Sequence, residues 1–250
     1  MEHEAGFSKI IFPTALTVTD QQTNISSLTK NQKQFYFNLL NELIEIYQTK
    51  QKNRVVIGMA GPSGSGKSVT VAILKELASH LNLPFGFETL GIDAFHYKNN
   101  FLSGRISGGE PLKNHKGRFD TYDVEILMEK LNHFLGDGEV KFPVYSRKIH
   151  EPVEDKIFIK KGEPVLILVE GLWLLSSRYG WGEVEELLDF SIFVEVGGAN
   201  KVRQGVIERH VKGGRTLEDA IRYYEAKNFD LVMESKNRAD KVIPAYLDIA

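Results

Sequence analysis

Two kinds of apolar spacing alternate along the chain. Asp189 to Val196 reads as a strand, and unbroken apolar runs occur at Val55-Val56-Ile57-Gly58-Met59-Ala60 and at Val165-Leu166-Ile167-Leu168-Val169. Lacking the polar alternation of a half-wet strand, they predict parallel strands covered on both faces. Elsewhere apolar residues return every three or four positions. Phe35, Leu39, Leu40, Leu43, Ile46 and Tyr47 predict a core-facing helix, with Thr29 and Gln32 as its capping box. Further helices are expected over 67–81, 123–135, 199–212 and 216–233, with Asp123 as an N-cap and Gly136 as a stop. Strands are also expected near 86–92, 139–142, 156–160 and 242–243.

Two stretches show no period. Residues 96–122 are polar and punctuated by glycine, which predicts a functional loop or short elements hidden from the pattern. Residues 1–28 mix Thr, Gln, Asn and Ser with a few apolar residues and predict an irregular, loosely attached arm. Strands that alternate with helices imply right-handed crossovers and one parallel sheet, hence an α/β fold. The expected organisation is an N-terminal arm and helix over 1–50, then one α/β domain over 51–250.

Composition narrows the partners. Against 33 acidic residues stand 31 basic ones, a net charge of −2, so no overall field favours nucleic acid. The chain has no cysteine, which excludes disulfides and cysteine-based zinc sites and agrees with a reducing compartment. Met1-Glu2-His3-Glu4 lacks the basic start and apolar core of a signal peptide, and no apolar run reaches membrane-spanning length. A cytoplasmic protein without membrane or nucleic-acid partners is expected. The acceptor-like Asn24-Ile25-Ser26 is therefore discounted as a glycosylation site.

Gly61-Pro62-Ser63-Gly64-Ser65-Gly66-Lys67-Ser68 sits between the first apolar run and a helical run, and fits G-x-x-x-x-G-K-[ST]. Glycines let successive amides curl inward into an anion nest, and the helix that follows aims its positive end at the same anion. The amides from Gly61 through Ser63, Gly64, Ser65 and Gly66 to Val69 are thus the expected phosphate cradle. Lys67 would reach the β- and γ-phosphates of ATP, and the Ser68 hydroxyl would ligate Mg2+.

In open parallel sheets, ligands gather at the carboxyl ends of strands. Asp93 and Glu170 are expected at two such ends. Asp93 can orient an attacking hydroxyl and accept its proton late in a loose transition state. Glu170 is placed to hold Mg2+ or substrate, and Gly171 beside it allows close backbone approach. Arg203, Arg209, His210, Lys212 and Arg215 cluster around a Gly213-Gly214 hinge, which predicts a helical lid over about 200–230 that closes basic groups over phosphates. Arg209 is the candidate catalytic cation, and the choice among the lid arginines stays open. His96, Tyr97, Arg118, Tyr145 and Arg147 join Glu170 as candidates to bind a polar, hydroxylated substrate. Trp173 and Trp181 are assigned to packing.

These residues together resemble the phosphoribulokinase/uridine kinase group of P-loop kinases over about residues 54–245. Beyond the Gly61–Ser68 loop, Ile92-Asp93-Ala94-Phe95-His96-Tyr97 resembles that group's D-x-F-[HY] strand end, whose aspartate is the catalytic base. Glu170-Gly171 resembles its E-G after the central strand. Pro143-x-Tyr145-x-Arg147 with Pro152-Val153, Glu170-Gly171-Leu172-Trp173-Leu174-Leu175 and Arg209-His210…Gly213-Gly214…Ala220 are similar to the bacterial branch associated with fructose transport. Ser146 stands where that branch usually has an aspartate. Phe119-Asp120-Thr121-Tyr122-Asp123 and Ser146-Arg147 depart from uridine-kinase motifs, and residues 1–50 fall outside the likeness.

The resemblance implies a P-loop NTPase-type parallel sheet with a helical lid, and transfer of the γ-phosphoryl of ATP to a small-molecule hydroxyl, with a sugar-like acceptor preferred. Uridine or another nucleoside, pantothenate and glycerate stay open as acceptors, and a homodimer stays open as the assembly. A regulatory nucleotide switch is the competing class. It would need a guanine-reading N-K-x-D, and Lys227-Asn228-Phe229-Asp230 has the wrong order.

Overall fold

The computed structural model of the chain describes residues 12–245. The elements run β1 (Ala15–Val18), β2 (Gln21–Asn24), α1 (Lys30–Thr49), β3 (Arg54–Ala60), α2 (Lys67–Ser79), β4 (Gly86–Gly91) and α3 (Asn99–Ser103). They continue with β5 (Ile106–Ser107), β6 (Glu110–Pro111), α4 (Val124–Leu135), β7 (Val140–Ser146), β8 (Glu151–Ile159) and β9 (Val165–Gly171). The last are α5 (Trp181–Glu185), β10 (Phe190–Glu195), α6 (Ala199–Lys212), α7 (Leu217–Glu225), α8 (Phe229–Glu234) and β11 (Lys241–Pro244).

Five parallel strands form the central sheet in the order β11-β10-β3-β9-β4. Every residue of β3 is buried, as its unbroken apolar run requires. Period-two side-chain direction divides that run between two cores. Val56 and Ala60 face a core with Leu127, Leu131, Phe134, Trp173 and Trp181. Val55, Ile57 and Met59 face another, with Leu39, Leu40 and Leu43 of α1 and Ile73, Leu74 and Leu77 of α2. Both tryptophans are core residues, as expected. The capping box of α1 also forms, with Thr29 and Gln32 bonded reciprocally.

At the foot of β3, Arg54 is 2% exposed and acts as a staple. Its guanidinium donates to the carbonyls of Phe134, Gly138, Lys160 and Glu163, at 2.6 to 3.2 Å. It also pairs with Asp137 at 3.2 Å.

Three expectations need correction. The arm is not loosely attached where it is described: β1 and β2 form an antiparallel hairpin, and Leu16, Val18, Ile25 and Leu28 enter the α1–α2 core. Its first part, residues 1–11, lies outside the described residues. The strands expected near 139–142 and 156–160 are longer than that and take in Pro143, forming a continuous hairpin, β7–β8, with a register shift between Phe142 and Val144. Proline, which cannot donate to the ladder, sits at that irregularity. The helix expected over 216–233 is split in two at Asn228, whose φ of +42° ends one segment while its side chain caps α8.

Candidate active site

The loop between β3 and α2 turns through Gly61, Gly64 and Gly66, all at positive φ. Gly64 is the sharpest case. At φ +82° an added Cβ would also lie 2.5 Å from Cγ2 of Val206 on α6, so the lid approaches the loop where no side chain fits. Gly66 begins α2 without a side-chain cap, leaving the first-turn amides open to an anion. Lys67 folds back, its Nζ donating to the carbonyls of Gly61 (2.7 Å) and Pro62 (2.9 Å). Burial lowers its pKa to about 8, while Glu170 and Asp93 pull the other way. The arrangement is a desolvated cation resting on weak partners beside an anion nest.

Ser68 Oγ donates to Glu170 Oε1 at 2.7 Å, joining the head of α2 to the end of β9. Burial raises the Glu170 pKa against the opposing pull of Lys67 and the Ser68 hydrogen bond. Adjacent Gly171 has Ile92 pressed against it: a Cβ there would fall 2.3 Å from Ile92 Cδ1. That contact brings the end of β9 close to the turn that carries Asp93.

Asp93 leaves β4 in a single 3-10 turn, Ile92–Phe95. Its side chain is 51% exposed. Oδ1 accepts from the Tyr122 hydroxyl at 3.1 Å, and among the described residues Oδ2 has no hydrogen-bond donor. Enclosure in the cleft pushes the carboxyl pKa up, but Lys227, the Tyr122 hydrogen bond and Arg147, joined by His96 only where that ring is protonated, hold it below the ordinary value. Asp93 is therefore an ionised acceptor with one oxygen held and the other free.

His96 lies behind this carboxylate rather than in the cavity, with its side chain 4% exposed. Nδ1 is 3.0 Å from the Thr121 carbonyl, which can only accept, so this nitrogen carries the proton. Nε2 faces Asp93 Oδ1 at 3.6 Å, and the ring stacks on Tyr122 at 3.9 Å. Burial takes the imidazole pKa down to about 4 against the pull of Asp93. His96 is a neutral prop for Asp93 and Tyr122.

A cavity of about 770 Å³ opens from Ser68, Asp93 and Glu170 outward, along Tyr145 and Ser146. Burial and Asp93 raise the Tyr145 pKa, so its phenol stays protonated. Arg147, at the turn of the β7–β8 hairpin, is close enough for its charge to be felt at Asp93, Glu170 and Arg209. Arg209, in the last turn of α6, has its pKa lowered by desolvation and by Arg147. Among the described residues no carboxylate pairs with it.

The structure thus gathers Lys67, Ser68, Asp93, Tyr145, Arg147, Glu170 and Arg209, with His96 as support. It leaves two candidates out. Tyr97 turns away onto Phe101, with ring centroids 4.5 Å apart. Arg118 spends its guanidinium on Asp120 (2.6 and 2.7 Å) and Ser107 (2.8 Å).

Two site residues escaped the sequence reading. Tyr122 reaches Asp93 across 29 positions of irregular chain, a separation no local pattern reveals. Lys227 lies 3.3 Å from Ser63 Oγ in the phosphate loop and 4.1 Å from the Tyr223 ring centroid. It was hidden inside an expected continuous helix. Asn228, a residue type that tolerates left-handed backbone, was the available signal for the break.

The sequence model of the phosphoribulokinase/uridine kinase family matches residues 56–248. The chain belongs to that family. It is 31% identical over 209 residues to the uncharacterised protein YggC of Escherichia coli, covering 82% of this chain and 84% of that protein. It is 28% identical over 197 residues to a uridine kinase of Halalkalibacterium halodurans, covering 77% and 87% of the two chains. Its fold matches the crystal structure of a candidate fructose transport system kinase from Silicibacter sp. TM1040. There the TM-score is 0.70 at 24% identity, over 83% of this chain and 98% of that one. The protein is accordingly a P-loop kinase of the phosphoribulokinase/uridine kinase family, using ATP and acting on a small molecule. Among the described residues no helix is long and apolar enough to cross a membrane.

Proposed function

We propose that this kinase transfers the γ-phosphoryl group of ATP to a hydroxyl of a small polyhydroxylated metabolite, a sugar or sugar-like compound. One observation carries the reading: Asp93 has one oxygen held by Tyr122 and the other open to a cavity that it shares with Ser68 and Glu170. An ionised carboxylate in that position receives the acceptor hydroxyl as a hydrogen bond and takes its proton late, as the bond to phosphorus forms. Lys67 exchanges the Gly61 and Pro62 carbonyls for phosphate oxygens. Arg209 and Lys227, brought in by the lid, face the charge that develops on the transferring group. Docking of α6 on Gly64 keeps water from the same space.

Ser68 and Glu170 would hold Mg2+. Both offer hard oxygen donors, 2.7 Å apart. The described residues contain no cluster of three or more His, Cys, Asp or Glu able to cage a metal. That donor set suits an ion whose remaining ligands are phosphate and water. An Mg2+ ion held there would supply charge neutralisation for the nucleotide phosphates.

The test is ADP release from Mg-ATP with D-fructose and other sugars, uridine, D-pantothenate and D-glycerate, in the wild type and in Asp93→Asn. One acceptor should raise the rate, and Asp93→Asn should lower the stimulated rate by about 10²–10⁴-fold while still binding ATP. Stimulation by uridine, pantothenate or glycerate alone would move the acceptor away from sugars within the same chemistry. Equal, unstimulated hydrolysis in both proteins would favour a regulatory nucleotide switch instead.

A further inference from the structure

We propose that the β1–β2 hairpin is a built part of the acceptor site, in which Asp20 is a positioning residue that sets Arg147 toward the acceptor. The inference rests on the phosphoryl-transfer reading above. It concerns a segment that precedes the residues matched by the family, 56–248.

Three observations carry it. First, the cavity that begins at Ser68, Asp93 and Glu170 ends on the hairpin, whose residues 15–20 and Gln22 form its outer wall. Leu16 and Val18 fasten that wall to the core beneath, so it is a fixed surface and not a loose flap.

Second, the tip of the hairpin grips the turn that carries Arg147. Asp20 Oδ2 accepts from Ser146 Oγ at 2.8 Å, and Oδ1 accepts from the Arg147 amide at 3.3 Å. Gln21 Oε1 accepts from the Arg147 guanidinium at 3.2 Å. Backbone and side chain of one arginine are thus both held from the hairpin. Burial pushes the Asp20 pKa up, but the Ser146 hydroxyl and the Lys148 and Arg147 amides together bring it below the ordinary value, so the carboxylate stays ionised.

Third, the turn is built at a cost. Thr19 and Asp20 have φ of +47° and +58°. A two-residue turn of this kind is easiest for Asn-Gly, and a β-branched residue at positive φ is strained. A turn selected only to close a hairpin would not need a carboxylate at its tip, whereas one that must hold Ser146 and Arg147 does. Arg147 in turn projects its charge onto Asp93 and Glu170, and onto Arg209 at the end of α6. Its neighbours Tyr145 and Ser146 line the same cavity as Asp93, where the acceptor hydroxyl must sit.

The experiment measures saturation curves for the stimulating acceptor found among D-fructose, uridine, D-pantothenate and D-glycerate. The variants are Asp20→Ala, Asp20→Asn, Ser146→Ala and the Asp20→Ala/Ser146→Ala pair, each with its Mg-ATP curve and melting temperature. Asp20→Ala should raise the acceptor KM roughly tenfold and leave the Mg-ATP KM unchanged, with a small fall in melting temperature because alanine at φ +58° is strained. Asp20→Asn, which keeps one acceptor oxygen, should fall between. In the Ser146→Ala background the Asp20 effect should shrink, because one of its bonds is already gone. An unchanged acceptor KM in Asp20→Ala overturns the proposal, as does a joint shift of both KM values with the melting temperature, which would mean a structural brace only. If no acceptor stimulates the wild type, the transfer reading itself falls and this one with it. That failure is visible before any hairpin variant is made.

Discussion

Lys67 shows how a single residue is poised by what surrounds it. It is 7% exposed, and in the free protein its partners are two carbonyls and a hydroxyl, none of which carries a charge. Burial accordingly leaves its pKa at about 8. Phosphate oxygens would restore the ordinary, higher value, since they favour the charged form. Nucleotide binding should therefore take up protons: about half a proton per site near pH 8, and less near pH 7 where Lys67 is already protonated. Calorimetric titration with Mg-ATP in two buffers of different ionisation enthalpy checks this. Heats that do not depend on the buffer at pH 8 would mean that the lysine is fully charged before ATP arrives. Asp93 is poised in the opposite sense, an anion kept ionised by surrounding donors and cations and so ready to accept.

At the scale of elements, the lid is a small body with its own core. Val206, Ile207, Ala220 and Tyr224 cluster apart from the two cores of the sheet. Its contacts with the rest include Val202 and Val206 against Gly64, Lys227 against Ser63 and Gly117, and Arg222 on Glu110. A body so built can close and open without repacking the sheet. Gly64→Ala tests the coupling of loop and lid. The added methyl meets both a positive φ, costing about 1–2 kcal/mol, and the side chain of Val206. ATP affinity should fall roughly tenfold, and a second change, Val206→Ala, should return part of it by removing the collision. No recovery in the double variant would place the whole effect in the loop backbone. The sequence points to this helical body through its basic residues and Gly213-Gly214. It did not show the break at Asn228 that delivers Lys227 to the phosphate loop.

For the molecule as a whole, Arg54 ties the amino end of the central strand to three separate chain segments, at 134–138, 160 and 163. Replacing it by leucine leaves four carbonyls without this donor and Asp137 without its partner. Arg54→Leu should cost about 3 kcal/mol, read as a fall in melting temperature of roughly 5–10 °C. A shift within 1 °C, roughly the scatter of neutral surface changes, would show that water replaces the guanidinium freely.

What the sequence determined by itself was local or strand-terminal. Unbroken apolar runs prescribe buried parallel strands, and glycine spacing before Lys67 and Ser68 prescribes a phosphate loop. A parallel sheet then sends Asp93 and Glu170 to one edge, because all its strands end on the same side. These inferences need only period, residue type and chain direction. Tertiary structure alone decided which polar residues meet. Tyr122 and His96 support Asp93, Tyr97 and Arg118 turn elsewhere, and a hairpin from an apparently loose arm closes the cavity and grips Arg147. Those meetings join positions as distant as Asp20 and Ser146. They are set by how irregular segments fold over the sheet, and periodicity carries no information about that.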